Sequence, residues 1–455
     1  MKRFLNEKLI RLAHSLASPL YIVGGFTRDF LAGFSKKKDD IDLCGPISAE
    51  EFVKKAEAVG FKTRAVYQNT GTVKLDGDNG EDYEFSTFRT DKYVRGKHTP
   101  SEIFFTEDIT LDARRRDFTA NAVYYDIKNE RFVDPLGGIR AIQERRLTTV
   151  DRPEKVFGED GLRLMRLARQ CAQLGFTADK ETEQGARVNS GLILDIVPER
   201  IFTELLLVLH ADEKYGVDNA PYRGLCCLER TGVLEKILPE LSLGKGMAQR
   251  ADFHHYDVLE HSFRAANYAP KSVRLAALLH DVGKPFCQIR DGHVHAHPEE
   301  GERIAKEILQ RLKAPKKMET QVCALVKWHM YDFDCRAKEN KLRKFFVAYL
   351  PLLDDLLLVK QADFSACTDD MATAPTVKKW RELLAKIKAE NAPLTLRELA
   401  VNGNDLLEVN IEPRLISKVL KELLNLAVCN PELNTKEKLF VHLPAAVHTA
   451  KTAKK

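Results

Sequence analysis

Apolar and polar positions alternate in two rhythms along the chain, and the rhythm changes near residue 150. Residues 2–17 read as an opening amphipathic helix, followed by Leu20-Tyr21-Ile22-Val23, a β-branched and aromatic run that stops at Gly24-Gly25. A strand, a tight turn and a helix are predicted there. Ile41 and Leu43 alternate with Asp40 and Asp42, and runs at 64–67, 72–75 and 83–88, bounded by Gly, Asp and Asn, add three more strands. From Pro153 onward apolar residues fall at helical spacing instead, as in Leu162-Leu164-Met165-Leu167-Ala168, Ile201-Leu205-Leu209 and Val273-Leu275-Leu278-Leu279. The expected class is α+β: a head with a small mixed sheet, then helices almost throughout. Residues 244–250 and 372–376 lack periodicity and are linker candidates, and no repeat of 20 to 50 residues is evident. The segments that follow are 1–150, 151–245, 246–375 and 376–455.

Length and composition narrow the classes. At roughly 150 residues per domain, 455 residues imply about three domains, which excludes a single small binding module. The chain is 44% hydrophobic and 30% charged, and its longest apolar runs, such as 205–209, fall far short of the ~18 residues of a membrane span. A membrane protein is excluded. Lys2 and Arg3 are followed by Glu7 before any signal-type apolar core, and no small-residue cleavage site follows, so a cytoplasmic location is expected. Nine scattered cysteines without a C-x-x-C pair indicate neither a zinc ribbon nor a disulfide framework. Net charge is only +5, but Lys36-Lys37-Lys38, Arg114-Arg115-Arg116 and the tail Lys451, Lys454, Lys455 are local basic clusters that permit a polyanionic partner.

Two constellations carry chemistry. In Val23-Gly24-Gly25-Phe26-Thr27-Arg28-Asp29, glycines at a strand-to-helix turn let backbone N–H groups approach a triphosphate, with Arg28 adding a charge-assisted contact. Asp40-Ile41-Asp42 follows on a strand whose two-residue period puts both carboxylates on one face, a pair suited to hard divalent ions. Asp76/Asp78 and Asp332/Asp334 share this spacing without the strand context behind a Gly-Gly turn. Glu84, on another strand, completes the acidic cluster if that strand is adjacent; the alternative is an ordinary solvent-facing Glu. Further on come His261, the adjacent His280-Asp281 within Leu278-Leu279-His280-Asp281-Val282-Gly283-Lys284, then His297, His329 and Asp363, residue types that ligate divalent metals. His254, His255, His293 and His295 are read as ordinary satisfied side chains.

Six motifs, in order, resemble the class II tRNA nucleotidyltransferases and bacterial poly(A) polymerases of the polymerase-beta-like nucleotidyltransferase superfamily: GGFTRD (24–29), DID (40–42), RRDFTANA (115–122), DPLGG (134–138), EDGLRLMRLAR (159–169) and ERIFTEL (199–205). The resemblance implies that Asp40 and Asp42 hold catalytic Mg²⁺ and that Gly24, Gly25 and Arg28 contact the incoming nucleotide. It also implies that Arg115, Arg116 and Asp117 meet ribose and phosphates. Asp160 and Arg163, expected three apart on one helix face, offer an acceptor and a fork of donors to the Watson–Crick edge of C or A. Arg166 and Arg169 continue that row toward triphosphate or RNA. The implied reaction is attack of an RNA 3′-hydroxyl on the α-phosphate of CTP or ATP, with tRNA as partner.

The second constellation resembles the HD phosphohydrolase superfamily, with Mg²⁺ or a divalent transition metal at His261, His280, Asp281, Asp363, His297 and His329. All six positions being filled favours a working phosphohydrolase on cyclic or terminal phosphates. Residues 394–406 are similar to a segment that follows the HD region in these enzymes, and the helices with a basic tail suit RNA backbone contacts. The leading expectation is CCA addition to tRNA, because the long polar connector at 89–110 is retained where CC-adding relatives have a shortened one. A-adding, CC-adding and poly(A)-adding enzymes are the alternatives. Against poly(A) polymerase, only 23 residues precede Gly24, with no basic extension. An RNA-binding HD phosphohydrolase with an inactive head is the non-polymerase alternative, which the intact Asp40/Asp42 pair disfavours.

Overall fold

The computed structural model describes residues 1, 5–34, 40–77, 80–94, 100–250, 252 and 254–452. Lys36-Lys37-Lys38, Asp78, the connector segment 95–99 and the terminal Lys454 and Lys455 lie outside the described residues. The chain forms two compact units, one of residues 1–242 with 308–314 and the other of 243–307 with 315–455.

In the first unit, α1 (Glu7–Ser15) begins where the Asn6 side chain accepts the Lys8 N–H at 2.8 Å, later than hydrophobic periodicity alone suggests. In chain order there follow β1 (Tyr21–Val23), α2 (Gly25–Leu31), β2 (Asp40–Gly45), α3 (Ala49–Ala58), β3 (Lys62–Tyr67), β4 (Thr72–Asp76), β5 (Asp82–Thr87), β6 (Arg89–Lys92), β7 (Glu102–Phe105), α4 (Ile109–Arg114), β8 (Tyr124–Asp126), β9 (Arg131–Val133) and α5 (Gly138–Gln143). Seven strands make one mixed sheet in the order β3-β4-β5-β2-β1-β8-β9, with β2 and β5 parallel and the other pairs antiparallel. Strand alternation sends Ile41, Leu43, Tyr83 and Phe85 into a core with Leu9, Leu12 and Phe52, where Phe52 stacks on Phe85 at 3.8 Å. Asp40 and Asp42 are therefore exposed from the same strand.

The polar connector gives no apolar alternation, yet β6 and β7 pair into a hairpin, with Thr90 opposite Phe104 and a 3.2 Å ion pair from Lys92 to Glu102. Local strand propensity is weak here, and cross-strand pairs supply what it lacks.

Beyond the sheet the unit is helical: α6 (Pro153–Glu159), α7 (Leu162–Leu174), α8 (Lys180–Val188), α9 (Pro198–Leu209), α10 (Asp212–Tyr215) and α11 (Ala220–Arg230). Pro in the first turn starts α6, α9 and α11, and Gly175 at φ 66° ends α7. The second unit is built of helices such as Val258–Tyr268, Arg274–Leu279, Lys316–Trp328 and Leu353–Thr368 around the metal-type residues, with Pro413–Cys429 and Leu443–Thr452 packed about Leu406, Leu423 and Leu439.

In the other two D-x-D spacings the first acid, Asp332 or Asp76, has a structural role. Asp332 sits at φ 58° and takes the Trp380 Nε1–H at 2.9 Å and the Lys379 ammonium at 3.0 Å, while Asp76 is ion-paired to Arg64. All nine cysteines are free thiols, and no helix among the described residues is long and apolar enough to cross a membrane.

Candidate active sites

The first unit contains a cleft of about 850 Å³ lined by Gly24, Gly25, Arg28, Asp40, Asp42, Arg115, Arg116, Asp117, Asp160, Arg163, Arg166 and Arg169. Residues from β1, β2, the end of α4 and both sides of the α6–α7 break thus meet at one place. Gly24 adopts φ 78° and ψ −138°, and a Cβ built on it would stand 2.8 Å from Asp42 Oδ2. A glycine is required twice over, by the backbone and by the space the carboxylate occupies. Two exposed carboxylates on one strand face beside that cradle form a hard-oxygen donor set, which fits a divalent ion of the Mg²⁺ kind. Glu84 stands beside Asp42 in register on the adjoining strand β5, pairs with Lys74 at 3.2 Å, and is not among the residues lining the cleft.

The arginines are held by two buried acids, the expected Asp117 and Asp112, which sequence reasoning had not singled out. Asp112, fully buried, takes Arg115 Nε at 2.7 Å, Arg116 Nη2 at 3.1 Å and the Tyr124 hydroxyl at 2.7 Å. Burial opposes its ionisation, but the two guanidinium groups and these hydrogen bonds win and bring its carboxyl down to about 2. Asp117 shows the same balance. Burial works against its charge, yet Arg166 at 2.7 Å, the Asn121 amide at 2.7 Å and the Phe118 N–H at 2.8 Å hold it well below the usual carboxylate range.

Arg28, 6% exposed, donates to Asp29 Oδ1 at 2.8 Å and to Asn121 Oδ1 at 2.7 Å, and the Tyr215 hydroxyl donates to the other Asp29 oxygen. Asn121 thereby joins Arg28 to Asp117. It stands inside the quoted RRDFTANA motif, so its polarity in an apolar stretch was the signal that could have found it. Arg89, Asp91, Tyr93, Gln170, Gln173, Lys214 and Tyr215 also line the cleft; their sequence surroundings carry no comparable mark.

One expectation is corrected. Asp160 and Arg163 do not share a helix face: Asp160 is extended, at φ −141° and ψ 105°, in the break after α6, while Arg163 lies in the first turn of α7. The Asp160 carboxylate accepts the Leu162 N–H at 2.9 Å, satisfying a helix-start donor, which is what a short acidic side chain does before a helix. Arg163 donates to Val156 O at 3.0 Å and to Arg115 O at 2.6 Å, so part of its donor fork fixes the backbone of the Arg115-Arg116-Asp117 motif.

In the second unit all six expected residues converge. His261 Nε2 lies 3.0 Å from Asp363 Oδ1 and 3.1 Å from His280 Nε2, while His297 Nε2 lies 3.2 Å from His329 Nε2. Asp281 stands between the two sets: Oδ2 is 3.2 Å from His280 and 3.6 Å from His261, and Oδ1 is 3.3 Å from His297 and 3.6 Å from His329. Nδ1 of His280, His297 and His329 contacts the carbonyls of Ala277, Val294 and Val326 at 2.7, 2.7 and 2.6 Å, so these rings turn Nε2 toward the centre. Lys284 Nζ forms an ion pair at 2.6 Å with Asp281 Oδ2. Burial disfavours a charged imidazole at His280, but Asp281 and Asp363 outweigh it and raise the ring to about 10, whereas burial leads at His329 and lowers it to about 4. Buried nitrogens and carboxylate oxygens that crowd one point are the donor set of a divalent metal centre.

A mixed-sheet head with paired carboxylates beneath a Gly-Gly turn, followed by helices and an HD centre, defines a nucleotidyltransferase. Residues 20–148 match the Poly A polymerase head domain, residues 175–243 the probable RNA and SrmB-binding site of polymerase A, and residues 253–363 the HD domain. The chain is 33% identical to the A-adding tRNA nucleotidyltransferase of Deinococcus radiodurans over 362 residues, 76% of each chain. It is 30% identical to the CCA-adding enzyme of Geobacillus stearothermophilus over 429 residues, 93% of this chain and 92% of that one. The crystal structure of the Bacillus stearothermophilus CCA-adding enzyme in complex with CTP superposes with a TM-score of 0.67 at 26% identity, covering 98% of this chain and 99% of that one. The chain belongs to the family of class II tRNA nucleotidyltransferases and poly(A) polymerases with a C-terminal HD domain.

Proposed function

We propose that this enzyme adds C, C and A to the 3′ end of tRNA from CTP and ATP, and that its second unit hydrolyses phosphate esters. The observation that carries the first reading is the Asp40/Asp42 pair opening into a cleft whose far side offers Asp160 beside a row of arginines. Asp40, Asp42 and the strand neighbour Glu84 form the acidic side of the reaction centre. Mg²⁺ bound there would neutralise charge on the triphosphate and lower the pKa of the attacking hydroxyl.

The chain's own groups do the rest. Backbone N–H groups at Gly24 and Gly25 and the Arg28 guanidinium hold phosphate oxygens, while Arg115 and Arg116, fixed by Asp112, meet ribose and phosphates. Asp117, locked by Arg166, stands with them, and Asp160 with Arg163 presents hydrogen-bonding edges to the base, so selection needs no nucleic-acid template. Arg169 faces triphosphate or RNA from α7. The 3′-hydroxyl then attacks the α-phosphate and pyrophosphate leaves.

Residues 1–150 act as the head and 151–245 as the base-selecting and RNA-binding neck; 246–375 form the HD domain and 376–455 an RNA-binding tail, in a cytoplasmic protein. At the HD centre, His261, His280, Asp281, Asp363, His297 and His329 would hold divalent metal, Mg²⁺ or a transition metal. The bound ions would supply a water nucleophile active at neutral pH.

An A-adding enzyme is the second reading, because one of the relatives carries that name. Incorporation of labelled CTP and ATP into tRNA lacking its last three nucleotides separates the two. Growth by three nucleotides that then stops supports CCA addition. Extension only of tRNA already ending in CC replaces it with A addition, and a long A tail or addition of CC alone overturns both.

A further inference from the structure

One histidine that the sequence leaves as an ordinary side chain lies against the HD cluster. His254 packs edge-on to His261 with ring centroids 5.0 Å apart, and His254, His261 and Cys367 present three ligand atoms within 4.8 Å of one another. Cys367 lies one helical turn beyond Asp363, and the His255 N–H donates to the Cys367 carbonyl at 3.0 Å, which ties the segment carrying His254 to that helix.

Two observations point to a ligand. His254 Nδ1 and His261 Nδ1 are both buried without a hydrogen-bond partner among the described residues, and His261 as a whole is 0% exposed. Unmade hydrogen bonds at buried nitrogens are costly, and each of the other three HD histidines satisfies its Nδ1 with a backbone carbonyl. His261 Nε2 is the atom turned to His280 and Asp363, so its Nδ1 is left over.

We propose that His254, His261 and Cys367 form an additional, softer metal site at the edge of the HD centre, which takes a Zn²⁺- or Cd²⁺-class ion and shares His261 with that centre. Two imidazoles and one sulfur are a borderline-to-soft donor set, in contrast to the carboxylate-rich pair next to it. Tetrahedral bonds of about 2.0 to 2.3 Å bring ligand atoms to roughly 3.5 Å from one another, so the side chains need to close by about 1.3 Å at most. Ligation releases the thiol proton of Cys367 and the Nδ1 proton of His261 to solvent, and the fourth position is open to water. An ion here draws on His261 and so weakens the HD centre.

The test is titration of the full-length protein with Cd²⁺, read by the ultraviolet thiolate-to-Cd²⁺ charge-transfer absorbance. The expected result is a saturable band that Cys367→Ser removes, that His254→Ala weakens at least tenfold in apparent affinity, and that persists in Asp363→Asn. Protection of Cys367 from alkylation by Cd²⁺, mapped by peptide mass spectrometry on the unmodified sequence, gives the same answer if a variant fails to fold. A band of unchanged affinity in either Cys367→Ser or His254→Ala, or alkylation of Cys367 indifferent to Cd²⁺, overturns the proposal.

Discussion

Gly24 is the residue whose backbone and surroundings leave least room for another. Its φ of 78° with ψ −138° belongs to a region nearly closed to side chains, and a methyl group would press on Asp42 Oδ2 at 2.8 Å. Gly24→Ala should displace one of the two acids. A shift of about 1 Å costs on the order of 100-fold in rate, so nucleotide incorporation should fall by about that factor while the phosphate-ester hydrolysis proposed for the second unit is unchanged. Single-turnover incorporation beside a phosphodiesterase assay would show it; equal loss of both activities would point to misfolding instead.

Asp112 makes a different prediction at the same scale. Its folded pKa of about 2 lies below the unfolded value of about 3.9, so the stabilisation it gives is complete above pH 4 and disappears as pH falls through 2. That contribution is about 2–3 kcal/mol at neutral pH. Urea unfolding followed between pH 2 and 5 should show a steep loss for the wild type and a flatter one for Asp112→Asn, which is destabilised already at pH 7.

At the scale of elements, the base reading proposed above turns on the break between α6 and α7. Asp160 both caps α7 through the Leu162 N–H and faces the cleft, so substitutions separate two effects. Asp160→Asn keeps an acceptor for the cap and should leave thermal stability within about 0.5 kcal/mol, whereas Asp160→Ala should cost about 1 kcal/mol. Both should lose the acceptor charge toward the base amino group, about 2 kcal/mol or near 30-fold in kcat/KM for CTP and ATP. A stability change without a kinetic one would confine Asp160 to capping.

The elements also show what the sequence could and could not convey. β2, β4 and β5 were legible from alternation and β1 from a continuous apolar run that packs on both faces, and the D-x-D pair was legible because period two puts both acids on one face. The β6–β7 hairpin was not, since its strands lack alternation and are held by cross-strand partners 10 to 16 residues away. Asp160 looked helical because spacing by three mimics a helix face; the cap that breaks the helix is a backbone event. Asp112 could not be ranked above other acids, because burial against two arginines is a property of the folded sheet.

On the scale of the whole molecule, one chain carries two separate donor sets. The head offers exposed carboxylates suited to hard ions and phosphates, and the second unit offers buried imidazoles that grip an ion through nitrogen as well. All described residues of each set fall within one compact unit, so neither site needs a ligand from the other. Asp281, with one oxygen toward each histidine pair, is the residue on which the whole HD centre depends. Asp281→Asn leaves an amide whose nitrogen cannot ligate, and phosphate-ester hydrolysis should drop by at least about 100-fold. CMP and AMP incorporation should stay within about twofold. The reciprocal change, Asp42→Asn, should abolish incorporation and leave hydrolysis intact. Metal removal should divide the activities in the same way: after chelation, Mg²⁺ alone restores nucleotide addition, whereas hydrolysis returns fully only with an ion that accepts imidazole, such as Mn²⁺, Co²⁺ or Ni²⁺. If Mg²⁺ restored both activities equally, the imidazole-rich donor set would not be selecting its metal, and the contrast drawn between the two sites would fail.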